Sequence, residues 1–183
     1  MITFITGGTR SGKSSYGEQL LESEKKVLYL ATAKITDDEM ARRVEHHKNR
    51  RGQRYTTVEG YKQMDASIEA TECDSSILDC VGTTITNWMF DQYSDWDHIT
   101  EEQVEAMEKE LLLYFRGIIK AMKKKSGRQV IISNEVGMAL ISEYRLGRVF
   151  TDVLGRVNQF LASQADEVIL MVSGIPMYIR KKS

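Results

Sequence analysis

The chain has 183 residues, of which 42% are hydrophobic and 28% are charged, and its formal net charge is -1. These values are typical of a soluble globular protein large enough to bury a core. A net charge near zero supplies no general attraction to nucleic acid or to an anionic membrane, so we expect no nucleic-acid partner.

Neither the cysteines nor the N-terminal residues indicate export or membrane insertion. Cys73 and Cys80 are too far apart for a CxxC pair, and we interpret them as reduced thiols of a cytoplasmic protein. The N-terminal residues lack the basic segment of a signal peptide. All apolar runs are too short to span a bilayer.

Short apolar runs alternate with longer amphipathic stretches along the chain. Predicted strands cover residues 2–6, 27–31, 76–79, 129–133 and 167–173, and predicted helices cover residues 13–21, 37–49, 83–90, 100–124 and 145–164. This alternation predicts an α/β fold with a mostly parallel sheet flanked by helices. Because no Pro- or Gly-rich linker divides the chain, we expect one domain over residues 1–183.

A phosphate-binding pattern, G-x-x-x-x-G-K-[ST], lies between the first predicted strand and the first predicted helix. Its residues are Gly7, Gly8, Thr9, Arg10, Ser11, Gly12, Lys13 and Ser14. In this pattern backbone N–H groups and the helix N-terminus face the phosphates, the lysine reaches the β- and γ-phosphates, and the last hydroxyl binds Mg²⁺. The alternative, a chance match in a glycine turn, is disfavoured by the strand and helix on either side.

A carboxylate for the same metal ion is expected at the end of a neighbouring strand. Asp79 closes the predicted strand at residues 76–79, so Ser14 and Asp79 are the predicted Mg²⁺ ligands. The alternative is that Asp79 only caps the following turn.

The predicted helix at residues 37–49 carries two adjacent histidines, His46 and His47, which point in different directions. Arginines lie on the His46 side of this helix, namely Arg42, Arg43 and Arg50. Such cations attract a polyphosphate and disfavour protonation of the ring, and a neutral imidazole is a nucleophile toward phosphorus. An incidental histidine pair on a surface helix and a metal site are the alternatives from the residues alone.

The chain resembles, nearly end to end, the bifunctional adenosylcobinamide kinase / adenosylcobinamide-phosphate guanylyltransferase family of cobalamin biosynthesis. The phosphate loop, the histidine helix, the NEVG segment at residues 134–137 and the GRVNQ segment at residues 155–159 carry the resemblance. It departs after residue 137, where Met138-Ala139-Leu140-Ile141 replaces the usual Gly-Ile-Val-Pro. We expect a more mobile loop there.

The resemblance implies a RecA-like P-loop NTPase fold, a homotrimer and two reactions. In the first, ATP or GTP phosphorylates the aminopropanol hydroxyl of adenosylcobinamide. In the second, a histidine takes GMP from GTP, releases pyrophosphate and passes GMP to adenosylcobinamide phosphate, which gives adenosylcobinamide-GDP. A small-molecule P-loop kinase without a covalent nucleotidyl step and a non-catalytic nucleotide switch are the competing hypotheses.

The resemblance also assigns residues to these tasks. His46 is the guanylylated histidine. Lys13, which the loop pattern places on the β- and γ-phosphates, is the second predicted catalytic residue. Nucleotide contacts fall on the phosphate loop and on Ala31, Thr32, Ala33, His47, Lys48, Asn49, Arg50, Glu59 and Asp79.

Overall fold

The computed structural model describes residues 1–33, 52, 54–138 and 140–181. Its strands are β1 (Ile2–Gly7), β2 (Val27–Ala31), β3 (Tyr55–Glu59), β4 (Ser75–Asp79), β5 (Gln129–Ile132), β6 (Glu167–Val172) and β7 (Ile175–Lys181). Its helices are α1 (Lys13–Gln19), α2 (Met64–Ala70), α3 (Val81–Gln92), α4 (Glu101–Lys123) and α5 (Arg145–Gln164). None of these helices is long and apolar enough to cross a membrane.

The seven strands form one sheet in the order β3-β2-β4-β5-β1-β6-β7. Neighbouring strands are parallel from β3 to β6, and only β7 runs antiparallel to its neighbour. Strand β5 therefore separates β1, which leads into the phosphate loop, from β4, which ends at Asp79. The predicted mostly parallel α/β fold is confirmed.

Both faces of the sheet are covered, because alternate strand residues point to opposite sides. On the α1 side the core includes Ile5, Tyr29 and Ile132. On the other side Phe4 and Leu30 pack in the larger core that α2 to α5 complete. Burial on both faces explains why the central strands read as continuous apolar runs.

All five predicted strands are present, with ends within two residues of the prediction. Four of the five predicted helices are also present, and the fifth, at residues 37–49, lies outside the described residues. The prediction lacked β3, α2 and β7. The edge strand β7 is mostly exposed and contains Pro176, which an edge strand tolerates. Its sequence therefore lacks the buried-strand signal.

Candidate active site

The carboxyl ends of the six parallel strands meet at one edge of the sheet, where β1 enters the phosphate loop. The strand register aligns Glu59 with Ala31, Ala31 with Asp79, and Asp79 with Ile132. Ile132 is aligned in turn with Ile5, two residues before the loop begins. Parallel pairing thus brings three predicted nucleotide-site residues from three strands to the same edge.

The phosphate loop connects β1 directly to α1 and is held by the turn between β6 and β7. A side chain on Gly7 would begin 2.5 Å from the carbonyl oxygen of Met171, so only glycine fits at this point. Gly12 caps α1 with a φ of 93°, a conformation that favours glycine. The Gly174 N–H donates a hydrogen bond of 3.0 Å to the carbonyl of Ser11.

The tip of the loop is open to solvent, and its base is closed. Gly8, Thr9 and Arg10 are exposed, and Ser11 is 8% exposed. The buried hydroxyl oxygen of Ser11 has no hydrogen-bond partner among the described residues. A loop with free polar groups around an open tip suits an anionic ligand.

Lys13 lies at the first position of α1 and points back into the loop. Its side chain is only 8% exposed, and Nζ donates a hydrogen bond of 2.6 Å to the carbonyl of Gly8. Burial lowers the pKa of Lys13 below its usual value, while the nearby Cys80 and Asp79 act in the opposite direction. A buried ammonium group held inside the loop is well placed to pair with phosphate oxygens.

The chemistry of the donor groups at this edge fits Mg²⁺. Ser14 and Asp79 offer oxygen ligands only, which this hard cation prefers, and phosphates and water complete such sites. Tyr29 donates a hydrogen bond of 2.5 Å to Oδ2 of Asp79 and so fixes one carboxylate oxygen. The described residues contain no cluster of three or more His, Cys, Asp or Glu that could hold a metal without a substrate.

Thr32 connects β2 to the end of β4 through both its backbone and its side chain. Its N–H donates to the carbonyl of Asp79 at 3.0 Å, and its hydroxyl accepts from the Cys80 N–H at 2.7 Å. Asn87 donates from its side chain to the Thr32 carbonyl at 2.8 Å. Thr32 is fully buried, whereas the neighbouring Ala31 and Ala33 are half-buried at the edge.

Sequence reasoning gave no role to three residues at this edge: Cys80, Asn134 and Glu135. The Glu135 N–H donates to the carbonyl of Gly7 at 3.0 Å, which ties the end of β5 to the loop. Asn134 Oδ1 lies 3.5 Å from the sulfur of Cys80, and burial raises the pKa of that thiol. The sequence could have indicated Asn134 and Glu135, because the polar NEVG segment follows one residue after the buried strand β5.

The histidine segment lies outside the described residues. This applies to the predicted contacts His46, His47, Lys48, Asn49 and Arg50. Their assignments remain predictions from the sequence.

Comparison with known proteins covers nearly the whole chain. A family model described as "Cobinamide kinase / cobinamide phosphate guanyltransferase" matches residues 3–179. The "Bifunctional adenosylcobalamin biosynthesis protein CobU" of Escherichia coli is 42% identical over 98% of this chain and 100% of the relative. The Salmonella typhimurium protein of the same name is 40% identical over the same shares. The "Bifunctional adenosylcobalamin biosynthesis protein CobP" of Pseudomonas aeruginosa is 32% identical over 98% of each chain.

Proposed function

The chain belongs to the cobinamide kinase / cobinamide phosphate guanyltransferase family, and we propose that both reactions take place at the carboxyl edge of the sheet. The protein is a bifunctional enzyme of cobalamin biosynthesis. It phosphorylates adenosylcobinamide with ATP or GTP, and it transfers GMP from GTP to adenosylcobinamide phosphate. The observation that carries the proposed location is the buried Lys13 inside a phosphate loop at the same edge as Asp79.

In the kinase step the loop holds the triphosphate of the donor. Its N–H groups and Lys13 bind the β- and γ-phosphates, and Ser14 and Asp79 would hold Mg²⁺. When bound, the cation neutralises phosphate charge. Arg10, at the exposed tip of the loop, adds a second positive charge. The acceptor hydroxyl then attacks the γ-phosphorus in line with the leaving nucleoside diphosphate.

In the guanylyltransferase step the attacked atom is the α-phosphorus of GTP. The imidazole of His46 forms a bond to it, and pyrophosphate leaves with the electrons of the broken P–O bond. A phosphate oxygen of adenosylcobinamide phosphate then attacks the same phosphorus and releases the histidine. His47, Lys48, Asn49, Arg50, Glu59 and the segment from Ala31 to Ala33 are the proposed contacts to the nucleotide.

Incubation with GTP labelled at the α-phosphate tests the histidine assignment. With Mg²⁺ present, the protein is expected to acquire an acid-labile, alkali-stable label, the stability typical of a phosphoramidate. His46→Ala is expected to abolish labelling, and His98→Ala, the same change at an exposed histidine outside the site, is the matched control that keeps it. A His46→Ala protein that labels like the parent would mean that another residue is the nucleophile.

The same experiment decides between the bifunctional enzyme and a kinase without a covalent step. A protein that forms adenosylcobinamide phosphate but never takes up label from GTP is a kinase only.

We also propose a cytoplasmic homotrimer, which rests on the family resemblance. Light scattering coupled to size-exclusion chromatography tests the trimer, and a monomer mass would reject it.

A further inference from the structure

A cavity of about 400 Å³ lies between α5 and the strands β1, β6 and β7, on the face of the sheet opposite α1. Its wall is mainly apolar with a few polar groups, which is typical of small-molecule sites. The residues that line it include Phe4, Thr6, Glu135, Met138, Gly155 and Asn158. The NEVG and GRVNQ segments, which the reaction scheme above leaves without a task, both contribute to this wall.

One end of the cavity is lined by residues that adjoin the phosphate loop. Thr6 precedes Gly7 directly, and its side chain lies on the same face of β1 as Phe4. At the same end, the Glu135 N–H donates to the Gly7 carbonyl at 3.0 Å. A molecule in the cavity would therefore lie next to the phosphates bound by the loop.

The polar groups of the wall differ in whether they have protein partners. Asn158 has a protein partner at both ends of its amide, since its Nδ2 donates to the Asn134 carbonyl at 3.0 Å and its Oδ1 accepts from the Ser133 hydroxyl at 2.5 Å. The buried Thr6 hydroxyl has no hydrogen-bond partner among the described residues. A buried hydroxyl without a partner is costly, and a polar atom of a ligand would satisfy it.

Large apolar side chains are exposed beside the cavity. Met138 contributes to its wall and is 81% exposed, and Leu140 and Ile141, just beyond, are 98% and 86% exposed. Exposed apolar side chains that lie together are typical of binding surfaces. At about 400 Å³ the cavity is near the lower end of the range of small-molecule pockets. It fits an arm of a large substrate, whose ring would rest on the exposed side chains.

We propose that this cavity binds the aminopropanol arm of the corrinoid acceptor and that Glu135 accepts the proton of its hydroxyl. The proposal rests on the proposed function. In the step, the hydroxyl oxygen bonds to the γ-phosphorus, and the bond from that phosphorus to the β,γ-bridging oxygen breaks. The nucleoside diphosphate leaves with the electron pair, and the proton moves to the Glu135 carboxylate. The carboxylate is half-buried and accepts one hydrogen bond, 3.0 Å from the Gly137 N–H, which orients it.

Filling the cavity tests the binding site. A Cβ atom added at Gly155 meets no atom within 4 Å, so the side chain of Gly155→Leu extends into open space. Leucine also favours the helix more than glycine does, so the variant is expected to fold. We expect the KM for adenosylcobinamide and for its phosphate to rise about tenfold or more, with labelling by GTP within about twofold of the parent.

The matched control is Ser163→Leu, which places the same side chain at an exposed position of the same helix. It is expected to leave both KM values unchanged. Equal KM values for Gly155→Leu and the parent would overturn the proposed binding site.

Exchange of the carboxylate tests the role of Glu135. Only the kinase step removes a proton from a hydroxyl, because the acceptor of the second step is already a phosphate anion. Glu135→Gln is therefore expected to lower kcat of the kinase step about 100-fold or more. Transfer of GMP to supplied adenosylcobinamide phosphate is expected to stay within about twofold.

Glu143→Gln, the same change at an exposed position nearby, is the control and keeps both activities. If Glu135→Gln slows both steps equally, or neither, Glu135 is not the base. These outcomes are separate from failure of the proposed function, in which the unmodified protein itself turns over neither substrate.

Discussion

At the scale of single residues, Lys13 is a basic side chain in a buried position, which is unfavourable for its charged form. It is an ammonium group at 8% exposure, and its folded environment lowers its pKa below the usual value. The charged form is thus disfavoured in the folded protein until a phosphate is present to pair with it. A group held in this way stabilises a bound anion more strongly than the same group in water.

Replacement of Lys13 by methionine, which has similar length, is expected to separate function from stability. The kcat/KM of the kinase step should fall about 100-fold or more, because the variant lacks the positive charge that binds the β- and γ-phosphates. Stability of the nucleotide-free protein should not fall, since a buried charge is removed. Turnover assays and thermal unfolding check the two parts, and an active variant would contradict the role of Lys13.

The difference in the free energy of unfolding between the parent protein and Lys13→Met depends on pH in a direction that the pKa of Lys13 fixes. Between the lowered pKa of folded Lys13 and the unfolded value of 10.5, the unfolded chain binds more protons at this site. The contribution of Lys13 to the free energy of unfolding therefore increases with pH in that window. Denaturant titrations should show the advantage of Lys13→Met narrowing as the pH approaches 10.5.

Tyr29 is a positioning residue for the proposed metal site, because its hydroxyl holds Oδ2 of Asp79 at 2.5 Å. Tyr29→Phe keeps the ring in the core and is expected to raise the Mg²⁺ concentration for half-maximal kinase activity about tenfold. Tyr178→Phe is the control, since its hydroxyl bonds to that of Tyr16. An unchanged Mg²⁺ dependence in Tyr29→Phe would show that Asp79, or its orientation by Tyr29, does not contribute to Mg²⁺ binding.

At the scale of secondary-structure elements, the hairpin of β6 and β7 contacts the phosphate loop, which its own sequence did not predict. Its turn residues Ser173 and Gly174 have φ values of 51° and 85°. This conformation directs the Gly174 N–H to the Ser11 carbonyl, and the β6 backbone packs against Gly7. The hairpin therefore supports the phosphate loop from the side away from β5.

Gly174→Ala tests this support. An added Cβ meets no atom within 4 Å, so the effect comes from the backbone conformation at a φ of 85°. We expect a loss of about 1 kcal/mol in the free energy of unfolding. The KM for the nucleotide should rise several-fold as the loop loses its support. A destabilised variant with the KM of the parent would show that the turn does not shape the loop.

The elements that the sequence predicted correctly are those with a strong local signal. Buried parallel strands are continuous apolar runs, and α4 begins at a capping box formed by Thr100 and Gln103. Strand β3 is short, and its residues are only half-buried or exposed. It forms because β2 offers it an unpaired edge, so its existence depends on a partner strand, Val27–Ala31, that is far from it in the chain.

At the scale of the whole molecule, we expect nucleotide binding and folding to be linked through the carboxyl edge of the sheet. Nucleotide contacts are proposed on β1, β2, β3 and β4, so a bound triphosphate would join strands from both halves of the sheet. At a GTP concentration about 100 times its Kd, the free energy of unfolding should rise by about 2.7 kcal/mol.

Thermal unfolding with increasing Mg²⁺-GTP should therefore raise Tm by roughly 5–10 °C for a chain of this size. Lys13→Met is expected to lose most of this increase, whereas His46→Ala, which keeps the phosphate loop, should retain it. A Tm independent of GTP in the parent protein would contradict the proposed nucleotide site.

The sequence by itself determined the phosphate loop, the fold class and the family, because these depend on neighbouring residues and on apolar periodicity within single elements. Only the tertiary structure decided that β5 lies between β1 and β4, and that Glu59, Ala31 and Asp79 share one edge. It also showed that NEVG and GRVNQ line one cavity beside the loop. Strand order and cavities arise from contacts between residues far apart in the chain. Those contacts are selected by the packing of both sheet faces at once, which no local pattern records.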